Sequence, residues 1–234
     1  MALPSALAHL AFDVFASVLA PPRCASCDAP VTRLAVFCAP CASTVEPAPD
    51  RDRDHDHDHD HAAFVYGGAV AQAIVRMKYE ERPDLARPLG DLLWRSLAPR
   101  SASLRGVLVV PVPLHPSRLA ERGFNQSSLL ARRLVRHLRG HFAPLALARG
   151  RDTPKQATLD RESRLANVAG AFRAREPARI HGRAVLLVDD VSTTGATLEA
   201  CARALRGAGA RMVATAVLAR AGLFPAAELS SLSP

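Results

Sequence analysis

Apolar residues along this chain follow two alternating patterns. Continuous apolar runs rich in valine and leucine predict strands that are buried on both faces, at residues 106–110, 184–188 and 212–218. Apolar residues that recur at intervals of three and four predict amphipathic helices, at residues 70–78, 85–94, 127–139 and 196–206. Strands that alternate with helices are typical of a parallel sheet covered on both faces. The pattern therefore predicts an α/β fold with a parallel sheet flanked by helices.

The first 22 residues form an apolar segment with helical spacing. Its large apolar side chains fall on one helical face, namely Leu3, Leu7, Leu10, Val14, Phe15 and Val18. The segment has no positively charged start, and His9 and Asp13 interrupt it, so we interpret it as an amphipathic helix and not as a signal peptide. No stretch of the sequence predicts a membrane span. These features predict a cytoplasmic protein without membrane insertion.

Two CxxC pairs predict a metal site near the beginning of the chain. Cys24 and Cys27 are separated by ten residues from Cys38 and Cys41. Four thiolates at this spacing suit a tetrahedral zinc site, and iron is the alternative ion. So short a segment has no core of its own, so bound metal would supply its folding free energy. Apolar residues within 31–37 predict the small hairpin of a zinc ribbon, whereas disulfides are not expected in a cytoplasmic chain.

A polar tract in which aspartate alternates with arginine or histidine occupies residues 50–61. The tract has nothing to bury and predicts a disordered linker; its histidines either bind transition metals weakly or have no function. A short strand at 64–66 would follow it. The chain is thereby divided into an N-terminal helix and zinc ribbon (1–46), a linker (47–62), the α/β domain (63–222) and a tail (223–234).

Charged and hydroxyl side chains follow the strand predicted at 184–188. Asp189 and Asp190 come first. A turn rich in hydroxyl groups comes next, made of Ser192, Thr193, Thr194 and Gly195. Backbone N–H groups and the positive end of a helix dipole would meet at this turn, which predicts a phosphate site. The adjacent carboxylates suit Mg²⁺ or sugar hydroxyls, and solvated aspartates in an ordinary loop are the alternative.

The chain of 234 residues is long enough for one good-sized domain and a small appendage, and it carries excess basic charge. Lys and Arg number 30 against 22 Asp and Glu, so the net charge is +8. Arginine supplies nearly all of it, which favours bidentate contacts with a polyanionic partner. On the helix at 127–139, polyanion binding and simple solvation explain Arg132, Arg136 and Arg139 equally well. The preceding residues 122–126, Arg-Gly-Phe-Asn-Gln, predict a second phosphate cradle.

A long polar connection, rich in arginine, covers residues 149–167. Basic loops between sheet strands often close over an anionic substrate and exclude water. Lys155, Arg161 and Arg164 lie in this connection without neutralising partners on every side. We therefore interpret the connection as a lid, with a mobile surface insertion as the alternative.

Residues 188–197, Val-Asp-Asp-Val-Ser-Thr-Thr-Gly-Ala-Thr, resemble the signature with which type I phosphoribosyltransferases bind 5-phosphoribosyl 1-pyrophosphate (PRPP). The resemblance implies that Asp189 and Asp190 contact the ribose hydroxyls and the metal. It also implies a cradle for the 5′-phosphate, formed beside Ser192 by Thr193, Thr194, Gly195, Ala196 and Thr197.

Several separated motifs resemble the ComF family, competence-associated proteins that join a zinc module to a phosphoribosyltransferase-like domain. In chain order they are the cysteine pairs, Lys78-Tyr79, Pro111-Val-Pro113, residues 122–126, Thr153-Pro-x-Gln156, Arg164-x-x-Asn167 and the Asp-Asp loop. The resemblance covers nearly the whole chain and implies a type I phosphoribosyltransferase-like fold. It also places Val112 and Pro113 in the pyrophosphate loop, and Gln156 and Arg164 in a flexible hood loop that faces the ligand. The polar tract at 50–61 has no counterpart in the family pattern.

Two functions are compatible with these residues. The first, implied by the resemblance, is a PRPP-binding protein that acts in DNA uptake with single-stranded DNA and competence proteins as partners. The second is an enzyme that joins PRPP, bound with Mg²⁺, to a nitrogen acceptor such as a nucleobase and releases pyrophosphate. Its candidate catalytic residues are Asp189, Asp190, Arg164 and Gln156. We favour the first, although the 5% of aromatic residues leaves few platforms on which DNA bases could stack.

Overall fold

The computed structural model describes residues 22–49, 60–150 and 170–221. The strands of this part are β1 (Asp60–Val65), β2 (Leu108–Pro111), β3 (His141–Phe142), β4 (Leu147–Arg149), β5 (Phe172–Ala174), β6 (Ala184–Ser192) and β7 (Met212–Arg220). Five of them form one parallel sheet in the order β1-β7-β6-β2-β3. The predicted fold, a parallel sheet flanked by helices, is confirmed.

Helices cover both faces of this sheet. The α-helices of the described residues are α1 (Ala39–Ala42), α2 (Gly68–Tyr79), α3 (Ala86–Leu97), α4 (Pro116–Arg122), α5 (Gln126–Leu138), α6 (Pro177–Ile180) and α7 (Ala196–Gly207). The core on one face combines Leu186 and Val188 of β6 with α2, α3 and α5. The core on the other face combines Val185 and Leu187 with α7. Because alternate residues of β6 enter different cores, the strand reads as one continuous apolar run.

Strand β6 is longer than the strand predicted at 184–188. It continues through both aspartates to Ser192 and stays paired with β7, with Asp189 opposite Val217 and Ser192 opposite Arg220. The prediction that the strand ends at the first charge is wrong, because both carboxylates have hydrogen-bond partners that make their burial tolerable. The sheet therefore holds the aspartate pair rigidly.

Residues 22–49, here called the cysteine segment, pack against α2. The backbone N–H of Ala25 donates to the carbonyl oxygen of Val36 over 2.9 Å and so ties the first cysteine pair to the approach of the second. Residues 31–37 contain no strand, and a single bridge joins Arg23 to Pro30. The predicted hairpin is wrong, because the segment between the two cysteine pairs folds back and contacts the first cysteine pair.

Two short strands frame the connection predicted to be a lid. β4 and β5 pair antiparallel, with Arg149 opposite Phe172. Residues 151–167 of that connection lie outside the described residues, as do the predicted N-terminal helix, most of the polar tract and the tail. The last two residues of the polar tract are described, and they form the start of β1. Asp60 is held there because its carboxylate accepts hydrogen bonds from Thr215 and Arg220 of β7. Across 22–49, 60–150 and 170–221, no helix combines the length and the apolar character needed to cross a membrane.

Candidate functional site

The carboxyl ends of β2 and β6 lie side by side at the centre of the sheet, since Pro111 is the register partner of Val188. Open parallel sheets bind their ligands at this edge. The aspartate pair, the start of α5 and the loop before α7 all reach it. The residues with candidate chemistry in three separate parts of the sequence are thereby brought together.

Asp190 is the more enclosed of the two carboxylates, with 3% of its surface exposed. Lys78 of α2 forms an ion pair with its Oδ2, and Gln126 Nε2 of α5 donates to its Oδ1 over 3.1 Å. Burial by itself raises the pKa of Asp190, but the charge of Lys78 and these hydrogen bonds outweigh burial and lower it below the ordinary value. In turn Asp190 raises the pKa of Lys78 against the opposing effect of burial. The two groups therefore form an ionised pair.

Asp189 has a different environment, although it is also buried, with 8% of its surface exposed. Its Oδ1 accepts hydrogen bonds from Ser127 Oγ over 2.7 Å and from the backbone N–H of Asp190 over 2.9 Å. Burial, followed by the negative charge of Asp190, raises the pKa of Asp189 to about 7. No cation among the described residues forms an ion pair with it. Asp189 is therefore the carboxylate for which an external cation or hydroxyl donor would be most favourable.

The hydroxyl loop, defined as residues 192–197, surrounds a small cavity at the start of α7. All six of its residues line this cavity together with Asp189. Gly195 precedes the helix with φ +82°, a left-handed conformation that glycine adopts without strain, and it has no side chain with which to cap the helix. Free N–H groups in the first turn of a helix attract anions. The cavity therefore combines an anion-binding turn with one carboxylate, as a phosphorylated sugar requires.

Val112 and Pro113, predicted in the pyrophosphate loop, directly follow β2 and are buried. The backbone N–H of Val112 donates to the carbonyl oxygen of Val188 over 2.9 Å, which continues the pairing with β6. The Val112 side chain belongs to the core beside α7. These two residues lie at the same edge of the sheet as Asp189.

Residues 122–126, predicted as a second phosphate cradle, already have hydrogen-bond partners within the protein. The side chain of Asn125 already caps α5, since its Oδ1 accepts from the N–H groups of Ser127 and Ser128 over 3.0 and 3.3 Å. Its Nδ2 donates to the carbonyl oxygen of Val112 over 3.0 Å. Arg122 donates to Gln126 Oε1 over 2.7 Å and so orients the amide that holds Asp190. The cluster therefore supports the aspartate pair, and the second phosphate cradle stays a prediction.

The four predicted metal ligands Cys24, Cys27, Cys38 and Cys41 come together, with their sulfur atoms all within 4.8 Å of one another. A tetrahedral ion with metal–sulfur bonds of about 2.3 Å places its sulfurs about 3.8 Å apart, so the cluster fits one ion. The N–H of Cys38 donates to Cys24 Sγ over 3.3 Å. Although burial opposes it, this and other backbone N–H groups lower the pKa of Cys24 to about 6, which favours the thiolate. The cluster can bind a metal such as zinc.

Some site residues are identified only from the sequence, and others only from the structure. Gln156 and Arg164 are outside the described residues, and their roles stay predictions. Among the partners of the aspartates, Lys78 and Ser127 were not assigned as site residues from the sequence, and Gln126 was predicted only as part of the second phosphate cradle. For Lys78 a signal was available, because it is one of two lysines among 30 basic residues. A compact ammonium group suits a tight contact with one buried carboxylate, which a planar guanidinium fits less well.

Comparison with known proteins places these features in a family. The family described as the phosphoribosyl transferase domain matches residues 124–223. The chain is 35% identical over 158 residues to the DNA utilization protein YhgH of Escherichia coli K12, which covers 66% of this chain and 69% of that protein. It is 35% identical to Competence protein F of Haemophilus influenzae, covering 63% of this chain and 66% of that one. It is also 30% identical to Competence protein ComFC of Streptococcus pneumoniae, covering 68% and 67%. On these similarities, and with its cysteine cluster and phosphoribosyltransferase domain, the chain belongs to the ComF family.

Proposed function

We propose that this protein binds PRPP with Mg²⁺ at Asp189 and the hydroxyl loop, and that it acts in the handling of DNA during natural transformation. The observation that carries the first part is the cavity shared by Asp189 and residues 192–197. The second part is supported by similarity to proteins named for DNA utilization and competence.

The proposed binding mode follows from the two ends of the cavity. The 5′-phosphate would accept hydrogen bonds from N–H groups at residues 193–197, where the dipole of α7 also favours an anion. The ribose hydroxyls would donate to Asp189, whose pKa of about 7 shows that its ionised form needs a compensating partner. The carboxylate oxygens of this site are the hard ligands that Mg²⁺ prefers, and the ion would offset the charge of the pyrophosphate. Gln156 and Arg164 would approach the pyrophosphate side from the hood loop.

The cysteine cluster is proposed to hold zinc as a structural ion. All four ligands are cysteines, which leaves no open coordination position for a substrate. Zinc would therefore stabilise the cysteine segment and take no direct part in chemistry.

A second candidate function is transfer of the phosphoribosyl group to a nitrogen acceptor. Such a reaction requires the protein mainly to position PRPP and to stabilise the departing pyrophosphate, which the residues above could do. The complete PRPP signature at 188–197 favours it. The described residues offer no aromatic platform beside the cavity on which a nucleobase would stack. Binding without turnover is therefore the form of the proposal that we favour.

Isothermal titration calorimetry of Mg²⁺ and PRPP tests the binding site. The wild-type protein should bind, and the double variant Asp189→Asn/Asp190→Asn should lose about 100-fold in affinity, because a charged partner of the ligand contributes 2–3 kcal/mol. A pyrophosphate-release assay with a panel of nucleobases then separates the two functions. Release with one base would establish a transferase, whereas binding without release would support the non-catalytic role. Absence of binding to the wild type would refute the proposed site.

Single-stranded DNA binding is proposed at a basic groove that lies away from the cavity. The groove runs between α5 and the turn before α3, and its basic side chains are Arg87, Arg132, Arg133 and Arg136. Arg133 is paired with Asp91. Within the described part of the chain the other three form no ion pair, so they are available to phosphates.

Fluorescence anisotropy with an oligothymidylate tests the groove. Arg132→Glu/Arg136→Glu should weaken binding and reduce the slope of log affinity against log salt by about 2, since each lost phosphate contact lowers it by about 1. PRPP affinity should not change in this variant. An unchanged slope would exclude the groove as the DNA contact.

A further inference from the structure

Helix α2 lies between the cysteine segment and the aspartate pair. At its start the N–H of Ala69 donates to Thr44 Oγ1 over 2.9 Å. Gly68, with φ +48°, lies so close to Thr44 that an added Cβ would come within 2.5 Å of the Thr44 carbonyl oxygen. Further along, Ser26 Oγ forms a hydrogen bond with the side chain of Gln72. The cysteine segment is therefore docked along α2.

Arg76 is the most extensive link between the two. Its side chain is largely buried, and Nη1 donates to the carbonyl oxygens of Ala25 and Ser26 over 3.3 and 3.2 Å. Its other terminal nitrogen pairs with Asp28. Ala25 and Ser26 are the two residues between the first pair of cysteines, in the turn that a bound metal would close. Arg76 thus binds the folded form of that turn, because an unfolded turn would not present both carbonyl oxygens and the carboxylate together.

Lys78 projects from the other side of the same helical turn. Two positions along an α-helix correspond to a rotation of about 200°, so Lys78 points away from the cysteines and reaches Asp190. The next residue, Tyr79, has its ring 5.2 Å from the guanidinium of Arg122, which also donates to Gln126. The last turn of α2 is therefore held by the cysteine segment on one side and by the site on the other.

We propose that the metal-loaded cysteine cluster is a working part of the ligand site, because through Arg76 it fixes the turn of α2 that places Lys78 on Asp190. Arg76 and Lys78 are positioning residues in this arrangement. Loss of the metal unfolds the first cysteine turn, and Arg76 then loses its three partners in the cysteine segment and keeps only Glu80, one turn further along the chain. The end of α2 loosens, and Asp190 is left buried beside Asp189 without its cation. The consequence for Mg²⁺ and PRPP rests on the proposed function, whereas the consequence for α2 does not.

The coupling to α2 is tested by hydrogen exchange on the full-length protein. Exchange of the amides of residues 74–80 is compared by mass spectrometry before and after zinc is removed with a chelator. We expect at least about a tenfold faster exchange there after removal, because the helix end loses its tertiary contacts, and no change in β7 or α7. Unchanged exchange in α2, together with faster exchange at residues 24–44, would overturn the coupling.

The consequence for the site is tested with matched variants. Arg76→Met should keep one zinc per chain, measured with a colorimetric chelator, and should bind Mg²⁺ and PRPP about tenfold more weakly than the wild type, a loss of about 1.4 kcal/mol. Arg95→Met removes the same charge from an exposed position at the end of α3 and should bind normally. If Arg76→Met fails to fold, Asp28→Asn replaces it, since this change keeps both carbonyl contacts of Arg76 and weakens the ion pairs of Asp28 with Arg76 and Arg82.

Rescue by a conservative change separates positioning from a general loss of structure. Lys78→Arg keeps the positive charge and should retain more of the PRPP affinity than Lys78→Met, at equal zinc content. Wild-type affinity in both Arg76→Met and Lys78→Met would overturn the proposal. If the wild-type protein itself does not bind PRPP, the proposed function fails, and the hydrogen-exchange comparison still decides whether the cysteine cluster holds α2.

Discussion

The two neighbouring aspartates should respond in opposite ways to the same substitution. In Asp190→Asn the buried ammonium of Lys78 loses its counter-charge. Breaking a buried ion pair by removing one partner costs about 3–5 kcal/mol. The side chain of Lys78 is still 18% exposed and can recruit some water, so we expect the lower part of that range. For a chain of this size that loss lowers the melting temperature by roughly 6–20 °C.

Asp189→Asn should instead leave the protein as stable or make it more stable. The amide oxygen can accept the hydrogen bonds that Ser127 and the backbone N–H of Asp190 now donate. The folded-state pKa of Asp189 is about 7, above the ordinary 3.8, so the folded protein binds the extra proton between these values. The wild type therefore loses stability as the pH rises from about 4 to about 7, and asparagine, which does not titrate, avoids this loss.

Urea unfolding of the wild type and both variants at pH 5 and pH 8 measures the difference. The advantage of Asp189→Asn over the wild type should be larger at pH 8, on the order of 1–3 kcal/mol. Asp190→Asn should be destabilised at both pH values, because the pKa of Asp190 is already low. Two results would refute this assignment of Asp190 as neutralised and Asp189 as uncompensated. One is an equal loss of unfolding free energy in both variants, and the other is a stability advantage of Asp189→Asn that is smaller at pH 8 than at pH 5.

Three further predictions concern the ligand and the chain around the site. The affinity for Mg²⁺ and PRPP should increase as the pH rises through about 7, because Asp189 must ionise to bind a cation; a flat calorimetric profile between pH 6 and 8 would contradict this. Gly195→Ala should destabilise the protein by about 1 kcal/mol through its positive φ, although the added Cβ meets no atom within 4 Å, and should weaken PRPP binding through the altered loop. Replacing residues 50–59 with a Gly/Ser tract of equal length should leave PRPP affinity unchanged, whereas extending the replacement through residue 61 should lower the urea midpoint, because Asp60 holds Thr215 and Arg220.

Much of the fold could be predicted from the sequence because the strands and helices carry strong local patterns. The helices predicted at 70–78 and 196–206 correspond to α2 and α7, since their apolar spacing matches the face that each buries. The strands β4 and β5 were not predicted, because three residues are too few to establish an alternating pattern. The hairpin at 31–37 was inferred from apolar residues alone, and in the structure this segment pairs with the first cysteine turn through Ala25 and Val36.

Only the part of the candidate site that is continuous in sequence could be predicted, because the other part is made of residues far apart along the chain. The hydroxyl loop is continuous in sequence, so its signature is readable in one segment. The groups that hold the aspartates come from residues 78, 126 and 127, which lie 62 or more positions earlier in the chain. Local patterns carry no information about such contacts. The role of Asn125 was readable locally, since asparagine is a favoured N-cap residue and its side chain accepts from the N–H groups two and three positions on.

The position of the aspartates on a strand explains why two adjacent carboxylates can have different roles. Asp190 continues the alternation of Leu186 and Val188 and meets Lys78 of α2, whereas Asp189 lines the cavity beside α7 and also contacts the start of α5. Among the described residues Lys78 is the one cation that pairs with these two buried carboxylates, which leaves one negative charge to be compensated. That charge lies next to a helix start that attracts phosphate. A ligand with a phosphate can bind the helix start, and its metal ion or hydroxyl groups can bind the carboxylate at the same time. The end of β6 therefore favours such a ligand, because Lys78 neutralises Asp190 and Asp189 is left to be neutralised beside the cavity.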